Sequence, residues 1–138
     1  MPDQSILVVG SVAYDSIKTP YGSRLHTLGG SATYSSIAAS YFSSVDLVAV
    51  VGTDFRDEST FQSHGIGMKC LTKASGETFQ WAGEYRDNFS ETLTIDTKLN
   101  VFSNFKPLLG SAEKNSEYLF LGNIDPELQK DVLNQMNQ

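Results

Sequence analysis

VDLVAVVG, residues 45–52, is a run of aliphatic and β-branched residues closed by a glycine. Its apolar positions scarcely alternate with polar ones, so it reads as a strand buried on both faces, the habit of a parallel sheet. The same pattern stands upstream in SILVVGSV, residues 5–12. Between the two lies HTLGGSATYSSIAASYF, residues 26–42. From Ser31 to about Phe42 its apolar residues Ala32, Tyr34, Ile37, Ala38, Tyr41 and Phe42 fit helical spacing, with Ser31 as N-cap. Strand, helix and strand at this spacing predict a βαβ unit with parallel strands.

Working outward, AYDSIKTPYGSRLHTLGG, residues 13–30, is broken by Pro20 and Gly22 and predicts a hairpin or loop excursion. RDESTFQSHGIG, residues 56–67, predicts a short helix stopped at Gly65, and EYLFLGNI, residues 117–124, a third buried strand ending in glycine. DPELQKDVLNQMNQ, residues 125–138, places Asp125 as N-cap, Pro126 at the first helical position, and Leu128, Val132, Leu133 and Met136 along one face. GETFQWAGEYRDN, residues 76–88, has a different texture. Phe79, Trp81, Gly83 and Tyr85 alternate with Thr78, Gln80, Ala82 and Glu84, the period of a strand. With ETLTIDTKLNVF, residues 91–102, this predicts a β-rich insertion at about residues 68–103 of an α/β body. Only three buried parallel strands are visible, whereas a sheet averages about five or six. The expectation is therefore a fragment or a truncated gene product.

The chain has 138 residues, 40% hydrophobic and 19% charged, a globular composition of one-domain size. A net charge of −6 argues against nucleic acid, which asks for a basic footprint. The N-terminal stretch lacks a basic n-region and no run approaches the roughly 20 apolar residues of a membrane span, so neither a signal peptide nor a membrane partner is expected. Cys70 is the single cysteine, which fits a reducing compartment and a cytoplasmic location.

In an open α/β sheet, ligands bind beyond the carboxyl ends of the strands. The predicted strands end in Gly10-Ser11, Gly52-Thr53-Asp54 and Gly122-Asn123, expected side by side at one rim. Asp15 has two readings there: a turn or capping residue, or a carboxylate that accepts hydrogen bonds from the hydroxyls of a polyol. Gly29 and Gly30 likewise have two: plain turn chemistry, or a close approach of a ligand to free N–H groups at a helix N-terminus. The chain has neither a dinucleotide-type glycine fingerprint nor a phosphate-loop sequence. Phe79, Trp81 and Tyr85 form either a packed sheet face or a cover for a ligand or a partner sheet. His26 and His64 have no ligating neighbours at useful spacing, so both read as surface or loop residues and no metal site is expected.

Taken together, ILVVGSVAYDSI (6–17), LGGSATYSSIAASYF (28–42), VDLVAVVGTDF (45–55) and YLFLGNIDPELQ (118–129) resemble the N-terminal half of the ribokinase-like (PfkB) carbohydrate kinase family over nearly the whole chain. The resemblance implies an α/β, Rossmann-like ribokinase fold: a partial parallel sheet with flanking helices and a small β-rich lid. Residues 1–138 would be the N-terminal part of a single kinase domain that transfers phosphate from ATP, with Mg, to a sugar or nucleoside hydroxyl. It implies that Asp15 binds the sugar and that Gly29 and Gly30 line its pocket. Asn123 would face that pocket. Tyr34 stands where many members carry asparagine. Phe79, Trp81 and Tyr85 would belong to the lid, which often pairs with a second subunit. In the family the nucleotide site, the glycine-rich anion hole and the catalytic base lie in the C-terminal half, and no G-x-G-D sequence occurs here. The implied state is a substrate-binding half, inactive alone. The alternative is a non-catalytic sugar- or nucleoside-binding or lid-dimerisation module.

Overall fold

The computed structural model describes residues 4–137; residues 1–3 of the N-terminal stretch and Gln138 at the end of the last predicted helix lie outside it. Two four-stranded sheets make up the fold. The main sheet runs β5 (Gly67–Ala74), β4 (Ser44–Gly52), β1 (Ser5–Val9), β8 (Tyr118–Leu121), all parallel. The side sheet runs β3 (Gly22–Gly29), β2 (Ala13–Thr19), β6 (Phe79–Tyr85), β7 (Thr92–Lys98). Its central pair β2–β6 is parallel and its outer pairs are antiparallel.

The uninterrupted apolar runs of β1 and β4 are explained by cores on both faces of the main sheet. Val8, Leu47, Ala49 and Val51 point to one core with Phe55, Phe61 and α1 (Ser31–Ser40). Leu7, Val9, Val48 and Val50 point to the other, with Val101, Phe105 and Val132 of α3 (Pro126–Gln135). Phe61, on the short helix α2 (Glu58–Ser63), is fully buried, and Gly65 follows at φ 66, the expected glycine stop. Asp125 caps α3 as expected, its side chain accepting from the Glu127 N–H at 2.9 Å.

Four expectations are corrected. Residues 68–74, placed in the insertion, belong to β5 of the main sheet, while the side sheet draws β2 and β3 from residues 13–29. Ser31 is not the N-cap: Gly30 is, at φ 99, and α1 ends at Ser40. The buried side of α1 is Ala32, Thr33 and Ser36, whereas Tyr34, Tyr41 and Phe42 are exposed. Small side chains let the helix lie close on β1 and β4, and Thr33 and Ser36 turn their hydroxyls onto the Gly29 and Thr33 carbonyls at 2.7 and 3.1 Å. The third predicted strand, β8, is an edge strand rather than one buried on both faces, with Tyr118 and Phe120 exposed.

Candidate functional site

At the carboxyl ends of β1 and β8 the chain is knotted together by one hydroxyl. Ser31 Oγ accepts from the Ser11 and Asn123 N–H groups, both at 3.2 Å, and lies 3.2 Å from Ser11 Oγ. A Cβ on either Gly10 or Gly122 would crowd that oxygen. In return the Ser31 N–H donates to Ser11 Oγ at 3.0 Å and the Ala32 N–H to the Ser11 carbonyl at 2.9 Å. Two first-turn donors of α1 are thus spent on the protein, so the expectation of a helix N-terminus free to receive a ligand does not hold there. Nor do all three strand ends meet: Gly52 leaves the rim and packs against Gly76 and Thr78, where β5 passes into the side sheet.

Gly29 and Gly30 have separate physical causes. A Cβ on Gly29 would overlap the Asp15 carboxylate, and one on Gly30 would strike the Ser11 carbonyl. Gly30 also holds φ 99, which side-chain-bearing residues rarely adopt. The pair therefore admits Asp15 and turns the chain into α1.

The Asp15 side chain is half-buried against Gly29, and burial raises its pKa above the ordinary carboxylate value. Among the described residues no hydrogen bond or ion pair reaches its carboxylate, although a carboxylate has about four acceptor sites. Thr27 on β3 and Trp81 on β6 are its neighbours in register. The six-membered ring of Trp81 lies across Gly83, where a Cβ would overlap it. An open cleft of about 470 Å³ runs along the strands from Thr27 and Ile17 to Tyr21 and Arg24 at the hairpin tip.

The other expected residues are dispersed. Phe79 stacks on Phe102 at 5.1 Å, tied into the root of the side sheet. Tyr85 is four residues beyond Trp81, about 13 Å along the strand, and packs on Phe89 at 6.3 Å. So Phe79, Trp81 and Tyr85 share a strand, but only Trp81 pairs with Asp15. Tyr34 stands exposed on α1, and Asn123 is exposed and joins the rim through its backbone. His26 is exposed, as expected of a surface residue, and lies in β3 at a bulge opposite Ser16, at φ 51, its ring 5.5 Å from Tyr14.

On the reverse face of the side sheet Tyr14 is buried, and its hydroxyl donates to Asp57 Oδ2 at 2.6 Å. Burial, then the Asp57 hydrogen bond, push its pKa to about 12. Sequence reasoning missed this contact. The only signal was Tyr14 next to Asp15, which in a strand face opposite ways.

No family sequence model and no curated protein sequence matches the chain. Solved structures do. The nucleoside kinase of Methanocaldococcus jannaschii, an archaeal member of the ribokinase family, superposes with a TM-score of 0.73 at 17% identity, over 96% of this chain and 48% of its own. The ribokinase of Cryptococcus neoformans in complex with ADP gives 0.73 at 19%, over 94% and 44%. The Burkholderia thailandensis nucleoside kinase in complex with inosine gives 0.64 at 16%, over 72% and 38%. The chain has the ribokinase fold and spans about half the length of the structures it matches.

Proposed function

We propose that these residues are the acceptor-binding part of an ATP-dependent carbohydrate or nucleoside kinase, working in the cytoplasm where Cys70 stays reduced. The observation that carries this reading is the Asp15 carboxylate: half-buried, resting on the Gly29 backbone, and met by no protein donor. A half-buried acceptor left open on one side suits a pair of hydroxyls, and hydrogen bonds to a charged group contribute about 1.5–3 kcal/mol each. Trp81 offers an apolar surface beside it for the ring of a sugar or a base. Gly29 and Gly30 shape the floor. The side sheet is the lid that keeps water from the acceptor hydroxyl.

In this reading the chain binds and orients the acceptor, and alone it is expected to show no phosphoryl transfer.

Calorimetric titration of the 138-residue chain with pentoses, hexoses and nucleosides tests this. Asp15→Ala is expected to weaken whichever ligand binds by at least about tenfold, or about 1.4 kcal/mol. Binding unchanged by the substitution overturns the reading. A second reading, a module that dimerises through the lid, is favoured by β7, exposed along its whole length with Leu93 and Ile95 outward. Among the described residues no helix is long and apolar enough to cross a membrane.

A further inference from the structure

We propose that the loop following β4, residues 53–57, is a two-point clamp that fixes the side sheet to the body and so positions Asp15 and Trp81; Asp54 with Thr78, and Asp57 with Tyr14, are its positioning residues. The ligand-binding consequence rests on the function proposed above.

The two contacts are alike in kind. Asp54 Oδ1 accepts from the backbone N–H and the hydroxyl of Thr78 at 2.8 and 2.7 Å. Thr78 is fully buried, its Oγ1 in turn accepts from the Gly52 N–H at 2.9 Å, and it immediately precedes β6. Asp57 Oδ2 accepts from the Tyr14 hydroxyl at 2.6 Å, and the same hydroxyl accepts from the Arg56 N–H at 3.2 Å. Tyr14 precedes Asp15 in β2. Asp57 is the residue before α2, where an aspartate ordinarily caps the helix with its side chain, yet it makes no cap bond. Its carboxylate is given to the side sheet instead.

The clamp grips the two strands that matter. In the order β3-β2-β6-β7 the central pair is β2 and β6, while the outer strands β3 and β7 are mostly exposed. Tyr14 is in register with Gln80, and Asp15 with Trp81, so both anchors lie within three residues of the groups they orient. A displacement of the loop therefore carries Asp15 and Trp81 together. Misplacement of a recognition group by about 1 Å is enough to lose most of its effect.

Trp81 is the single tryptophan and reports its own position. Tyr14→Phe keeps the ring on Phe55 and removes only the hydroxyl; Asp57→Asn keeps the shape and weakens the acceptor. In the full chain without ligand, each is expected to raise acrylamide quenching of Trp81 about twofold, and the double variant no further. Adenosine and D-ribose are then titrated, with about tenfold weaker binding expected for whichever of them wild type binds. Ile66→Val, a substitution in the same core away from the clamp, is expected to lower the melting temperature without changing either readout. Unchanged quenching in Tyr14→Phe, or additive effects in the double variant, overturn the clamp. If wild type binds neither probe, the ligand is taken from the panel of pentoses, hexoses and nucleosides, while the ligand-free quenching still decides the clamp. Should the variants not fold, hydrogen exchange on wild type decides. Asp15 and Trp81 amides protected like those of β4 are required, and exchange at the rate of a free hairpin overturns the proposal.

Discussion

The Asp15 carboxylate rests on Gly29 with no hydrogen-bond partner among the described residues, and burial raises its pKa. For an acid whose folded pKa lies above its unfolded value, folding is favoured by protonation. That contribution is complete below the unfolded pKa and is lost as pH rises through the folded one. Asp15→Asn is therefore expected to melt higher than wild type at pH 7, with the advantage shrinking as pH falls towards 4, as read by calorimetric melting curves. A residue that costs stability where it stands is of the kind retained for binding. Gly30 shows the opposite balance. With φ 99 and the Ser11 carbonyl against its Cα, Gly30→Ala is expected to cost about 1–3 kcal/mol in urea unfolding. Gly83→Ala is expected to leave the fold in place and lift the Trp81 ring, seen as a shift in its emission.

Elements differ in how plainly they are written. β1 and β4 were legible because a strand covered on both faces needs an unbroken apolar run. α3 was legible because Asp125 and Pro126 mark its start, and Asp125→Ala is expected to cost about 1 kcal/mol of stability. β5 was hidden: at the sheet edge GMKCLTKA is nowhere fully buried, with Met68 and Leu71 on one core, Cys70 and Ala74 on the other, and Lys69, Thr72 and Lys73 exposed between them. α1 misled because its contact face is built from Ala32, Thr33 and Ser36, so its largest residues point outward. The Asp15–Gly29 contact was foreshadowed only by the family resemblance, and the Tyr14–Asp57 bond not at all, since nothing local specifies a partner 43 residues away. β7 pairs on one edge only, and Ile95→Lys is expected to reduce self-association in sedimentation without lowering the melting temperature.

Across the whole molecule, two sheets share one short loop and one set of strand ends. The main sheet has its own two cores, whereas the side sheet depends on the body through Tyr14, Thr78 and Phe79. At the other flank β8 presents Tyr118 and Phe120 beside an unpaired edge among the described residues. Phe120→Glu is expected to suppress aggregation on heating, measured by light scattering. The parallel pairing of β2 with β6 has a consequence in time as well as in space. Asp15 and Trp81 are roughly 66 residues apart, so the pairing closes a long loop that only the completed βαβ core shortens. The local unit of β1, α1 and β4 is therefore expected to form before β2 pairs with β6. During synthesis the strand bearing Asp15 leaves the ribosome early and waits, unpaired on one side, until the strand bearing Trp81 emerges.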